Sequence, residues 1–217
     1  MPPNRCLKLT GVVSADSDQS HGYENCAATF LAGRGRGLGG IGAATVRTWA
    51  RSLPAHGTVL DAGCGSGLPL SQVLLEEGHS VYGVDASPTL IAAFRHNFPH
   101  VPVACEPAEH SAFFNRTFDG VLAWGLIFLL PTDAQVSLLQ RMGRALAPGG
   151  RLLFTAPAVP SQWTDTLTGC SSQSLGAQAY RDILDAVGLD IIGECDDEGQ
   201  NHYYDARRRS GAKSAAV

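Results

Sequence analysis

From residue 58 onward the apolar positions arrive in alternating blocks. Thr58–Ala62 and Ser80–Asp85 are short, rich in β-branched residues and bounded by turn formers, which predicts two strands. Between them Leu70, Val73 and Leu74 recur at helical spacing, and Gly78 stops the helix. A third strand is expected at Val101–Cys105. Before it, Ser87 followed by Pro88 reads as an N-cap with proline at the first helical position, opening a helix through Leu90, Ile91 and Phe94. Phe118–Trp124 is apolar on both faces, as a central parallel strand should be. Thr132 to Gln135 reads as a capping box for a helix with Val136, Leu139, Met142 and Leu146 on its face. Pro148-Gly149-Gly150 then turns the chain into a fifth strand, Arg151–Ala156.

The ends of the chain follow different patterns. Residues 1–20 lack periodicity and read as a loose, disordered leader. Tyr23, Ala27, Phe30 and Leu31 mark a helical face, and Val46, Trp49, Ala50 and Leu53 a second one that ends before Pro54. Gly33 to Gly42 between them is read as a flexible hinge. Gly35-x-Gly37-x-x-Gly40 matches a dinucleotide fingerprint by letter, but no strand precedes it. After the fifth strand come a long polar loop (157–173) and a helix carrying Tyr180, Ile183, Leu184 and Val187. Leu189–Cys195 and Asn201–Ala206 then form an expected hairpin, and 207–217 a solvated, disordered tail. Regular alternation of strands and helices predicts a doubly wound, seven-stranded, mostly parallel sheet, with one antiparallel C-terminal strand.

Composition narrows the class only a little. The 217 residues suit one domain (21–206, with an N-terminal helical lid over 22–53). A net charge of −4 gives no reason to expect nucleic-acid binding. No apolar run is long enough to span a membrane. Six cysteines without a CxxC pair indicate neither a zinc site nor a disulfide framework, so no metal is expected and a cytoplasmic location is the default. Most cysteines read as small buried hydrophobes, and His79 and His110 as surface-loop residues.

Candidate chemistry concentrates in Asp61-Ala62-Gly63-Cys64-Gly65-Ser66-Gly67, with Asp85 twenty residues beyond Gly65. A strand, a glycine turn, a helix, a second strand and an acid form the layout of a nucleoside-binding unit. The acid can accept hydrogen bonds from ribose hydroxyls. An acid inside the turn would repel a pyrophosphate yet suits a ligand with an ammonium group. On these residues the chain resembles the class I S-adenosylmethionine-dependent methyltransferases, of the small bacterial kind. Phe118-Asp119 and Leu146-x-Pro148-Gly149-Gly150 extend the likeness, which covers residues 22–206.

The resemblance implies S-adenosyl-L-methionine as cofactor and S-adenosyl-L-homocysteine as product. It places Gly63, Cys64, Gly65, Gly67, Asp85, Ala86 and Ser87 at the cofactor. It implies an adenine site at Pro107, Ala108 and Glu109, where the amino contact comes from backbone groups or from Glu106 or Glu109. Tyr23 on the first helix is expected to close over the site. Ligands in such sheets bind beyond the carboxyl ends of the strands. That rule selects Trp124, the loop carrying Trp163, and the hairpin with Glu198, Asn201, His202 and Tyr203. His202 and Glu198 are then candidate general bases, and Tyr23, Trp124, Trp163, Asn201 and Tyr203 candidate substrate contacts. The expected reaction is in-line methyl transfer to a small molecule by a monomer or homodimer. The alternatives are an NAD(P)-dependent oxidoreductase and a non-catalytic S-adenosylmethionine-binding protein.

Overall fold

A computed structural model describes residues 18–34 and 40–211. Seven strands form one sheet in the order β3-β2-β1-β4-β5-β9-β8. The parallel part comprises β1 (Thr58–Ala62), β2 (Ser80–Asp85), β3 (Val103–Cys105), β4 (Phe118–Ala123) and β5 (Leu146–Thr155). The C-terminal hairpin of β8 (Leu189–Asp196) and β9 (His202–Arg208) closes it, with β9 antiparallel to β5.

Side-chain alternation along the strands builds two cores. On one face Val59, Val81, Leu122, Leu153 and Tyr203 meet Val46, Trp49, Val73 and Leu74, from α2 (Ala43–Ala50) and α3 (Leu70–Glu76). On the other, Leu60, Val121, Leu152, Phe154 and Tyr204 meet residues of α5 (Thr132–Ala145) and α6 (Ala177–Asp185), including Leu139, Met142, Tyr180 and Leu184. Strand residues n and n+1 point to opposite faces, so a sheet covered on both sides needs apolar residues at every position.

The structure alters several boundaries. The loop 157–173 contains a small hairpin of β6 (Ser161–Thr164) and β7 (Ser171–Ser174); its serines and threonines masked the strand signal. Thr132 is not a cap. Pro131 precedes the helix, and Gln135 turns inward to Leu130 O, Gln173 O and the Tyr180 hydroxyl. Helix α2 belongs to the core rather than to a lid, because Val46, Trp49 and Ala50 are buried against the sheet. Strand β9 continues through Arg207 and Arg208 into the expected tail, and Arg209 pairs with Asp190. His79 is buried, with its Nε2 3.0 Å from Ala50 O. Cys64 alone among the described cysteines is fully buried; Cys105 and Cys195 are exposed. The parts of the expected leader, hinge and tail at 1–17, 35–39 and 212–217 lie outside the described residues. No described helix is long and apolar enough to cross a membrane, and no described cluster of His, Cys, Asp and Glu could hold a metal ion.

Candidate active site

The parallel strands end at one edge, and the cavity opens there. It measures about 840 Å³ with its mouth included and is lined by Asp61, Gly63, Cys64, Gly65, Asp85 and Ala86, among others. Left-handed φ angles at Gly63 (76°), Gly65 (54°) and Gly67 (78°) curl the β1–α3 turn. Side chains other than glycine resist that conformation. The three glycines do different work. Gly63 backs onto Leu126, and Gly65 faces the open space before Phe30. A Cβ on Gly67 would stand 2.5 Å from Phe98 and 2.9 Å from Phe94. Gly67 is therefore a packing glycine under α4 (Pro88–Asn97) rather than a cavity residue.

Two carboxylates organise the floor. Asp61 is 3% exposed and accepts a hydrogen bond from the Ser71 hydroxyl at 2.5 Å. Asp85 accepts from Gly65 N and from Ser87 N, both at 2.8 Å, and so ties the turn to the start of α4. Burial pushes the Asp85 carboxyl above its usual range, against those two backbone donors. Ser87 itself does not line the cavity. It caps α4 through Leu90 N, as its sequence context predicts, and donates its hydroxyl to Glu24.

The roof is α1 (Tyr23–Arg34) with the turn before it. Glu24 accepts hydrogen bonds from Ser87 Oγ, Thr89 N (3.1 Å) and Thr89 Oγ1 (2.6 Å), which places a carboxylate at the positive end of α4. Hydrogen bonds from Ser87 and Thr89 hold the Glu24 carboxyl below its usual range. His21 Nε2 lies 3.2 Å from Glu109 Oε1 across the cavity. Burial tends to raise the Glu109 carboxyl, but the His21 contact leaves it lowered. Glu24→Ala is expected to loosen α1 by about 0.5–1 kcal/mol, roughly two- to fivefold faster backbone hydrogen exchange over residues 23–34. Because the folded pKa is depressed, this contribution is present above the ordinary glutamate range. It is lost as pH falls through the lowered value, so wild-type exchange in α1 should accelerate on acidification.

The sequence reading named Asp61, Gly63, Cys64, Gly65, Asp85, Ala86, Pro107, Ala108, Glu109, Tyr23 and Trp124, and all of them line the cavity. Gly125 and Leu126, which the carboxyl-end rule also selects at strand four, line it too; the reading missed Gln19, Ser20, His21, Phe30, Leu68 and Leu129. One signal was available: Ser20 Oγ accepts from Glu24 N (2.8 Å), so Ser20 starts a helix rather than ending a leader.

The C-terminal hairpin does not line the cavity, and that corrects four assignments. His202 turns to the outer face, with Nδ1 2.7 Å from Asp196 Oδ1 and Nε2 3.1 Å from Glu194 Oε2. Glu198 accepts from Gly42 N at 3.1 Å. Asn201 holds Asp197 within the turn. Tyr203 is fully buried; its hydroxyl receives the Trp124 indole N–H (2.7 Å) and donates to Asp197 Oδ2 (2.8 Å). Burial and Asp197 push that phenol far up, so it stays protonated. Tyr203 supports the Trp124 wall from behind. Trp163 packs on Phe128, with ring centroids 5.6 Å apart, outside the cavity. A one-residue alternation decides the outcome for His202 and Tyr203: along β9, His202 and Tyr204 face one side and Tyr203 the other.

Residues 59–150 match the family model of a methyltransferase domain. The chain has the class I methyltransferase fold. One curated relative of this chain is a 2-heptyl-1-hydroxyquinolin-4(1H)-one methyltransferase of Mycobacteroides abscessus. It is 30% identical over 113 residues, which are 48% of this chain and 49% of that protein. The chain thus spans about half the length of that relative. Among solved structures, the SAM-bound amino pentose methyltransferase CalS10 of Micromonospora echinaspora aligns with a TM-score of 0.66 at 19% identity. The alignment covers 83% of this chain and 96% of that one. The cyclase SpnF aligns at 0.62 and 18% identity, over 78% and 81% of the two chains. The methyltransferase fold therefore also occurs in a protein described as a cyclase, and the site has to carry the functional argument.

Proposed function

We propose that this chain transfers a methyl group from S-adenosyl-L-methionine to a small-molecule acceptor and releases S-adenosyl-L-homocysteine. One observation carries the reading: Asp61, the glycine turn and Asp85 converge on the floor of a single roofed cavity. When bound, the cofactor supplies an already activated methyl group on a sulfonium. Asp85 would accept the ribose hydroxyls and Asp61 would face the ammonium end. Ala86, Leu90, Pro107 and Ala108 offer an apolar slot for the adenine. The chain's remaining task is to align donor and acceptor and to exclude water, which α1 does from above. The same acid in the turn disfavours a dinucleotide pyrophosphate. The scattered cysteines fit a cytoplasmic enzyme.

Calorimetric titration with S-adenosylhomocysteine, with NAD and NADP in parallel, tests the cofactor class. Micromolar binding of the first alone is expected; heat only from a nicotinamide cofactor would overturn the reading. His202→Ala is expected to leave that affinity unchanged within about twofold. It should cost less than about 1 kcal/mol of stability, since its partners are surface carboxylates. A large loss of affinity would return the hairpin to the site.

A further inference from the structure

Another groove lies away from the cavity and shares no lining residue with it. Its walls are residues 111–117, which lead into the amino end of β4, and the last turn of α5, which leads into β5. It therefore sits toward the sheet edge opposite the cavity. Arg116, Arg141 and Arg144 line it together. Two of them are held over aromatic rings. Arg116 lies 4.3 Å from the Tyr82 ring centroid and donates to the Tyr82 hydroxyl. Arg141 lies 5.7 Å from the Phe113 centroid and donates to Ser111 O. Arg208 reaches the same end of α5 from β9 and donates to Arg144 O (3.0 Å) and Leu146 O. The carbonyls that end the helix are thus covered by a cation and do not present their negative dipole to the groove.

None of these four arginines forms a salt bridge among the described residues. The acids of neighbouring elements are engaged elsewhere. Asp119 accepts from Thr58 N at 2.7 Å, Asp205 takes Arg151, and Asp185 and Asp190 take Arg209. The groove wall is also unusual in its backbone. Phe113, Phe114 and Asn115 stand in succession in the left-handed region, with φ of 46°, 57° and 52°. Side chains other than glycine resist that conformation, and it gathers in segments that clamp ligands.

We propose that this groove binds a small ligand through a diphosphate group. The inference is independent of the methyl-transfer reading. A carboxylate has two oxygens and one charge, and a single bidentate arginine satisfies it. A diphosphate has terminal oxygens and charge enough for three guanidinium forks. Stacking on Tyr82 and Phe113 orders two of those forks beforehand, which lowers the entropy cost of binding. Asn115 and Thr117, also in the groove wall, add neutral donors.

The test titrates the full chain with inorganic pyrophosphate at neutral pH and low salt, with a single-stranded RNA oligonucleotide in parallel. Saturable pyrophosphate binding is expected. Arg116→Gln and Arg144→Gln should each weaken it at least about tenfold, the scale of a lost charge-assisted hydrogen bond. Arg144→Lys should weaken it less, because the charge stays and only the fork is lost. Arg207→Gln is the control. It removes the same charge from an exposed residue on the opposite face of β9 from Arg208, and affinity should stay within about twofold. No pyrophosphate binding overturns the inference. An equal loss in Arg207→Gln would assign the binding to net charge and overturn it too. RNA binding at a lower phosphate concentration than pyrophosphate, abolished by Arg144→Gln, would make the groove a nucleic-acid surface and overturn the small-ligand assignment. Thermal denaturation checks that the variants fold. If Arg116→Gln does not, Arg144→Gln decides alone, since the Arg144 side chain makes no hydrogen bond among the described residues.

Discussion

Replacing Asp85 by alanine is expected to weaken S-adenosylhomocysteine binding by about 1.5–3 kcal/mol, roughly 10- to 150-fold. Two losses combine. The ribose hydroxyls lose their acceptor, and Gly65 N and Ser87 N lose the carboxylate that ties the glycine turn to α4. Asp85→Asn keeps one acceptor oxygen and should fall between. Acidification gives the same result by titration. Burial raises this carboxyl, so it protonates at higher pH than an ordinary aspartate. Affinity should therefore decline on acidification before other carboxylates titrate. The stability sign is opposite to that of Glu24. With a folded pKa above the unfolded one, the charged form costs stability at neutral pH, and the cost is relieved as pH falls. Calorimetry across pH on wild type and Asp85→Asn checks both. An affinity of Asp85→Ala equal to wild type would remove Asp85 from the cofactor site.

The second large effect separates two glycines two residues apart. Gly67→Ala is expected to destabilise the fold by about 2–4 kcal/mol, because its Cβ would overlap Phe98 and Phe94 at a left-handed φ. Gly65→Ala meets nothing closer than Phe30 at 3.8 Å and should cost only about 1–2 kcal/mol of backbone strain. The added methyl group of Gly65→Ala points toward cavity-lining Phe30 and Leu90, so S-adenosylhomocysteine affinity should drop more than about tenfold. Chemical denaturation measures the first variant and titration the second. If Gly65→Ala bound normally, the turn would not border the ligand. If Gly67→Ala were as stable as wild type, the aromatic packing beneath the turn would be misassigned.

Much of the candidate site was legible because it is local. A glycine turn between a strand and a helix, and an acid at the next strand's end, are fixed by neighbours along the chain. Asp61, Gly63, Gly65 and Asp85 accordingly stand where the sequence puts them. The same holds for Ser87, whose cap needs only Leu90 three residues on. The succession of strands and helices along residues 58–156 followed from alternation of apolar blocks.

What the chain alone did not determine depends on contacts between distant segments. The roof comes from residues 18–30, whose sequence is polar and short, and its docking rests on Glu24 reaching Ser87 and His21 reaching Glu109. Such pairs leave no periodic trace. The hairpin was placed at the correct edge, yet which face its side chains take depends on register, and a shift of one residue exchanges the faces. His202 thereby went outward and Tyr203 inward to brace Trp124. The sequence by itself determined the succession of strands and helices along the chain and the floor of the site, because both arise from short-range pattern. Only the tertiary structure decided the roof, the wall and the side of the last strand, because side-chain direction and long-range pairing are properties of the packed molecule.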